Sequence, residues 1–161
     1  MAIIKPNNNT LSAVTALPAA IPTGKILQVS NFIQTSSGQT ISSSTYTDVT
    51  SLTLNITPSA TSSKIFLSST IQAELNVNSG DRGYSMQFLR DSTAVYTTSG
   101  AYTVYFQSGG QNYTFYNFSY IDSPNTTSQI TYKVQIKTNN GDSIPLNAPA
   151  QSNMYAMEIA G

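Results

Sequence analysis

The acidic residues are the first candidates for chemistry in this sequence, because it contains no histidine and no cysteine. Without those two residue types, imidazole bases, thiolate nucleophiles, disulfides and the usual zinc sites are excluded. A glycosidase needs two carboxyl groups that flank one cleft. The seven acids are Asp48, Glu74, Asp81, Asp91, Asp122, Asp142 and Glu158. Most of them fall in turn sequences or on the predicted outward face of strands, where carboxylates are solvated, so we expect no enzyme.

Two loops carry side-chain oxygens of the kind that calcium takes. In the first, the donors are Asn76, Asn78, Ser79 and Asp81, and the second is the NNGD sequence at 139–142. Neither loop has the several carboxylates or the bidentate acid that a calcium loop requires. Plain turns are the favoured interpretation, because Asn and Gly tolerate the backbone angles of tight turns. We expect neither a metal nor any other cofactor.

Charge is scarce along the whole chain. Seven Lys and Arg residues balance seven Asp and Glu residues, so the formal net charge of the 161 residues is +0. This leaves no basic stripe to neutralise a phosphate backbone and no patch for anionic lipid. No run approaches the ~18 apolar residues of a membrane-spanning helix. We therefore expect no nucleic acid among the partners and no membrane insertion.

Aromatic residues are dense between Tyr96 and Tyr120. In the segment 112–121, Tyr113, Phe115 and Ile121 share one face of a predicted strand, while Tyr116, Phe118 and Tyr120 share the other. Aromatic residues on both faces indicate that something besides the chain's own core covers one of them, and another subunit is the favoured cover. A platform for sugar rings and a core within the chain stay open as alternatives. The candidates for the covered face are Tyr102, Tyr105, Tyr116 and Phe118.

From residue 24 onward the hydrophobic pattern has period two, which is typical of half-buried strands. The clearest case is 130–137, where apolar and polar residues alternate without a break. The turn sequence RDST at 90–93 predicts a hairpin with 94–98, and SGGQ at 108–111 predicts a second hairpin between 101–107 and 112–121. About eight or nine strands with no helical pattern between them predict an all-β fold. We expect an antiparallel β-sandwich, similar to a jelly roll, over residues 24–161.

Residues 1–23 differ from this body, because they contain prolines but no aromatic residue. Leu11, Val14, Leu17 and Ile21 are spaced three, three and four residues apart, which places them on one face if the segment is helical. We take these four residues as docking or oligomer contacts of a short N-terminal arm. An extended lead-in strapped across its own domain is the alternative, because so short a helix is marginally stable alone.

Four segments stand out in order along the body. They are GKILQVS at 24–30, YTDVTSLTLNITPSATSSKIFLSSTI at 46–71, YIDSPNTTSQITYKVQI at 120–136 and MYAMEIAG at 154–161. Together they resemble the small β-sandwich structural proteins of marine bacteriophage virions, including cyanophages, which are often described as tail-fibre proteins. The most specific pieces are NITPSATSSK and DSPNTTSQITYKVQ.

This resemblance implies a non-enzymatic component of the virion that is assembled in the host cytoplasm. It implies a homo-oligomer, expected as a homotrimer, whose partners are copies of itself and other capsid or tail proteins. The arm would dock on the particle while the sandwich projects outward as a capsid decoration, a knob or a short tail-fibre component. A tail module that binds host surface glycans during attachment is the alternative.

Overall fold

The computed structural model describes residues 24–34, 38–77, 82–98, 103–106, 110–139, 143–146 and 151–161. In these residues the chain forms strands and no helix. The longer strands are β1 (Ile26–Ile33), β3 (Thr47–Ile56), β4 (Lys64–Val77), β5 (Arg82–Arg90), β6 (Thr93–Thr97), β8 (Gly110–Asp122), β9 (Ile130–Thr138) and β11 (Asn153–Ile159). Three short strands are β2 (Gln39–Ile41), β7 (Val104–Phe106) and β10 (Ile144–Leu146). The predicted arm, residues 1–23, lies outside the described residues.

The strands form two antiparallel sheets. The first sheet has the order β1-β11-β4-β8, and the second has the order β3-β9-β5-β6. Short strands extend them, since β10 and β2 continue the first sheet and β7 pairs with β5 in the second. Among the eight longer strands, the first pairs with the last, and each following strand pairs with the next one in from the other end. The pairs are β1 with β11, β3 with β9, β4 with β8, and β5 with β6. This pairing is that of a jelly roll, so the predicted all-β, antiparallel, jelly-roll-like sandwich is confirmed.

The core lies between the two sheets, and the period-two residues build it. Along β9, every second residue from Ile130 to Thr138 is buried. Aromatic rings join the two sheets across the core: Phe88 of β5 stacks on Phe118 of β8 with 4.2 Å between the ring centroids. Tyr96 of β6 stacks in the same way on Tyr120 of β8 at 5.2 Å. These contacts fix which side of β8 faces inward.

The first predicted hairpin is confirmed, because β5 and β6 pair antiparallel around a turn at Asp91. Asp91 has a positive φ of 54°, which aspartate tolerates better than most residues. Its backbone N–H donates to the carbonyl of Thr131 at 2.7 Å. In return, the Thr131 amide donates to the Asp91 carboxylate at 3.0 Å. The hairpin tip is thereby fastened to the first residues of β9.

The second predicted hairpin is wrong. The strand β7 pairs with β5 in the second sheet, whereas β8 pairs with β4 in the first. The physical reason is the length of the available partner. β4 offers a continuous register from Ile65–Asp122 to Val77–Gly110, while β7 has only three residues to pair.

Candidate interaction surface

The two sides of β8 determine which of the predicted aromatic residues can meet a partner. Phe118 is 5% exposed and lies in the chain's own core, and Tyr116 packs against the same core. The choice of Phe118 and Tyr116 for an outer, covered face is therefore wrong. Pairing with β4 turns this side of β8 towards the second sheet. The outward side instead carries Tyr113 and Phe115, which are 51% and 61% exposed.

The other predicted contact residues are dispersed or outside the description. Tyr105 is 43% exposed, but it lies on β7 in the second sheet, away from β8. Five residues lie outside the described part of the chain: Leu11, Val14, Leu17, Ile21 and Tyr102. Their roles as docking or oligomer contacts stay predictions.

The outer face of the first sheet, meaning the side that faces away from the core, carries an apolar row across four strands. Val29 of β1 pairs with Met157 of β11, Met157 pairs with Phe66 of β4, and Phe66 pairs with Ile121 of β8. At the two edges, Val29 is 56% exposed and Ile121 is 50% exposed. Ile26 lies beside the row and is 53% exposed. A row of this kind places uncharged, water-repelling surface in contact with solvent.

Small polar residues lie between this row and the Tyr113–Phe115 pair. The amide of Asn117 donates to the hydroxyls of Ser68 at 3.2 Å and Thr70 at 3.0 Å. Within the described part of this outer face, the charged side chains are Lys64, the first residue of β4, and Glu74, three residues before its end. The middle of the face, where Tyr155 of β11 lies beside Ser68, is therefore uncharged.

The outer face of the second sheet is polar. Asp48 accepts hydrogen bonds from Gln135 at 2.6 Å and from Lys133 at 3.0 Å. The Gln135 bond lowers the pKa of Asp48 more than burial raises it, and Lys133 lowers it further. The Lys137 ammonium lies 4.9 Å from the centroid of the Tyr46 ring. In the described residues, the exposed large hydrophobic side chains all lie on β1 or β8, except Tyr105.

Two carboxylates are buried, contrary to the expectation that the acids are solvated. Asp122 is 4% exposed, and the Arg90 guanidinium lies 3.0 Å from both of its oxygens. The hydroxyl of Tyr132 donates to Asp122 at 2.6 Å. Burial, and then this bond to a carboxylate, raise the pKa of Tyr132. Because Asp122 belongs to the first sheet while its partners belong to the second, the cluster joins the two sheets.

The second buried carboxylate, Glu158, fastens an edge strand and a turn. It accepts hydrogen bonds from the Ser59 amide at 2.7 Å, the Ser59 hydroxyl at 2.6 Å and the Gln28 amide at 2.6 Å. Burial opposes ionisation, but hydrogen bonds from Ser59 and Gln28 outweigh it and lower the pKa of Glu158 to about 2. A general acid needs a raised pKa instead. Glu158 therefore fits a structural role rather than a catalytic one.

These two clusters account for the most specific sequence stretches. Asp122 and Tyr132 both belong to DSPNTTSQITYKVQ, and Ser59 belongs to NITPSATSSK. Each stretch supplies hydrogen bonds to one buried carboxylate. Hydrogen bonding within the fold therefore accounts for Asp122, Tyr132 and Ser59 in these stretches.

The described residues contain no group of three or more acidic side chains placed to hold a metal ion. In the same part of the chain, no helix is long and apolar enough to cross a membrane.

The strand order and the surface together define a jelly-roll β-sandwich with one apolar outer face. No protein-family model and no curated protein matches the chain. Among solved structures, the structure of the infectious bursal disease virus Gx strain is similar to this chain, with 16% sequence identity and a TM-score of 0.47. The match covers 81% of this chain and 33% of the viral chain. The crystal structure of the VP2 subviral particle of infectious bursal disease virus is also 16% identical, with coverages of 84% and 34% and a TM-score of 0.45. The chain spans about a third of the length of these structures. Sequence identities and TM-scores this low do not assign a function to the chain.

Proposed function

We propose that the chain is a non-enzymatic structural protein of a bacteriophage particle, located in the virion after assembly in the host cytoplasm. The observation that carries the proposal is the apolar row on the outer face of the first sheet. Soluble monomers rarely expose contiguous apolar surface of this kind unless another molecule covers it. The four sequence segments that resemble marine phage virion proteins support the same class. The partners are copies of the chain and other capsid or tail proteins.

Residues 1–23 are the proposed docking arm of this protein. Leu11, Val14, Leu17 and Ile21 supply apolar contacts for docking or for a homotrimer, and the sandwich of residues 24–161 projects as a decoration, a knob or a short tail-fibre component. The arm ends next to Gly24, close to the exposed Ile26 at the edge of the first sheet. The point where the arm joins the sandwich is therefore next to the sheet that carries the apolar row.

The test is incorporation into particles from which the native copy has been removed. Serine at all four apolar arm positions should leave the chain folded, as judged by circular dichroism, but absent from purified particles. The matched control replaces Ser12 and Thr15 with alanine, which keeps the apolar spacing. Normal incorporation of the four-serine variant would show that the arm does not dock the protein.

A glycan-binding module of the tail is the second candidate function. Phe115 and Tyr113 are exposed on the outer side of β8, so their rings can stack on a sugar. Purified chain should then bind host cells or a glycan array, and Phe115→Ala should abolish binding. A protein with a purely architectural role binds neither, with or without the substitution.

A further inference from the structure

We infer that the outer face of the first sheet packs against the same face of a second copy, about a two-fold axis that crosses β4 at Ser69 and β8 at Phe118. Ser69 and Phe118 are register partners, two residues from Ile71 and Tyr116, the central pair of the two strands. The inference rests on the proposed self-assembly and adds a two-fold contact to it. It names the surface that each copy presents.

Charge complementarity supports the two-fold arrangement. Lys64 lies five residues before Ser69 and Glu74 lies five residues after it. A two-fold axis across the strands at Ser69 reverses the direction of β4 in the partner copy, so each Lys64 meets the Glu74 of the partner copy. A parallel alignment of the same faces would instead place Lys64 opposite Lys64.

The apolar residues of β8 match about the same axis. Phe115 lies three residues before Phe118 and Ile121 lies three residues after it. The axis therefore brings Phe115, 61% exposed, onto the partner's Ile121, 50% exposed. Near the axis the outer face carries Ser68, Thr70 and Asn117, with Tyr155 of β11 beside Ser68, and side chains of these sizes fit the usual ~10 Å separation of stacked sheets.

The size of the face suits a stable contact. About an axis at Ser69, residues 64–74 of β4 overlap with the partner, a length of roughly 35 Å, and four strands span roughly 15–20 Å. The resulting area of roughly 600 Å² is at the lower end of what each partner contributes to a standard interface. The outer face of the second sheet is a poor match for this surface, because its Lys133 and Asp48 already pair with each other and would lose water on contact.

Charge reversal in the full chain tests the pairing. K64E places Glu opposite the partner's Glu74, and E74K places Lys opposite the partner's Lys64. Sedimentation velocity should show association weakened roughly tenfold for each variant alone, because both symmetric contacts become like-charged. An equimolar mixture of K64E and E74K should associate like the unmodified chain, because every contact then joins Glu to Lys. K137E on the second sheet is the matched control and should change nothing.

The association of the equimolar mixture of K64E and E74K distinguishes the possible outcomes. Association restored only in the mixture supports the pairing, whereas equal association of all samples, or a loss that mixing does not restore, overturns it. The outcome is separate from that of the proposed homotrimer. If every sample is a trimer, the proposed assembly stands and the two-fold contact is rejected. If the unmodified chain sediments as a 17.3 kDa monomer, both are rejected.

Discussion

The outer faces of the two sheets differ, although strands of the same period-two pattern form both. The outer face of the second sheet holds a hydrogen-bonded network around Asp48, Lys133 and Gln135. The outer face of the first sheet holds the apolar row from Val29 to Ile121. Each strand has two unlike sides, but the pattern alone does not show which side meets water. Strand pairing decides that, and here it leaves the first sheet with an apolar row on its outer side in addition to its apolar inner side.

The largest expected effect separates the two sides of β8 with one pair of matched substitutions. Phe118→Ala removes a buried ring that stacks on Phe88, and should lower the free energy of unfolding by about 4 kcal/mol. Phe115→Ala, on the opposite side of the strand, should change it by less than about 0.5 kcal/mol in the monomer. Urea unfolding followed by circular dichroism measures both. Similar losses for the two variants would contradict the assignment of inner and outer faces.

The next effect concerns the cluster that holds the two sheets together. Asp122→Asn leaves Arg90 without its charged partner, and should cost about 3 kcal/mol of unfolding free energy, because a half-broken buried ion pair is strongly destabilising. Asp91→Asn is the control, since asparagine keeps the oxygen that accepts from Thr131. Equal stability of the two variants would contradict the conclusion that Asp122 holds the two sheets together.

An effect of similar size, on the pH dependence of stability, concerns β1, which supplies Val29 and Ile26 to the apolar face. The pKa of Glu158 falls from 4.5 to about 2 on folding. Its contribution to stability is therefore complete above pH 4.5 and is lost as the pH falls towards 2. Urea midpoints of the unmodified chain should decline over this range, and Glu158→Gln should flatten the decline. Glu74→Gln is the control. A decline of the same size in both variants would show that other groups cause it.

The smallest expected effect lies on the polar face. Asp48 is half exposed and pairs with Lys133 at 3.0 Å, so Asp48→Asn should cost less than about 1 kcal/mol. The same substitution at Asp122 should cost about 3 kcal/mol, and the urea midpoints of the two variants provide the comparison. A loss at Asp48 as large as that at Asp122 would mean that the second sheet depends on its surface network.

Sequence alone was sufficient for the sandwich and for most strands, because alternation at 46–56, 64–75 and 130–137 follows directly from burying one side. It was insufficient for β8, because both of its sides carry aromatic residues and only the register with β4 and the stack on Phe88 separate them. The second hairpin failed because local turn chemistry at SGGQ does not reveal a longer partner elsewhere in the chain.

The buried acids could not be found from the sequence alone. Glu158 alternates in step with Met154 and Ala156, and Asp122 with Phe118, but only strand pairing and the stack on Phe88 show that these are the inner sides. Hydrogen-bond partners distant in the sequence, Ser59 for Glu158 and Arg90 for Asp122, make the burial tolerable, and no local pattern identifies them.

The most direct test of the central claim, that another molecule covers the outer face of the first sheet, is hydroxyl-radical labelling of the full chain at rising concentration. Phe115 and Met157 should be oxidised in dilute solution and protected when the chain associates, while Phe118 stays protected throughout. Constant oxidation of Phe115 and Met157 at every concentration, with a sedimenting mass of 17.3 kDa, would contradict the claim.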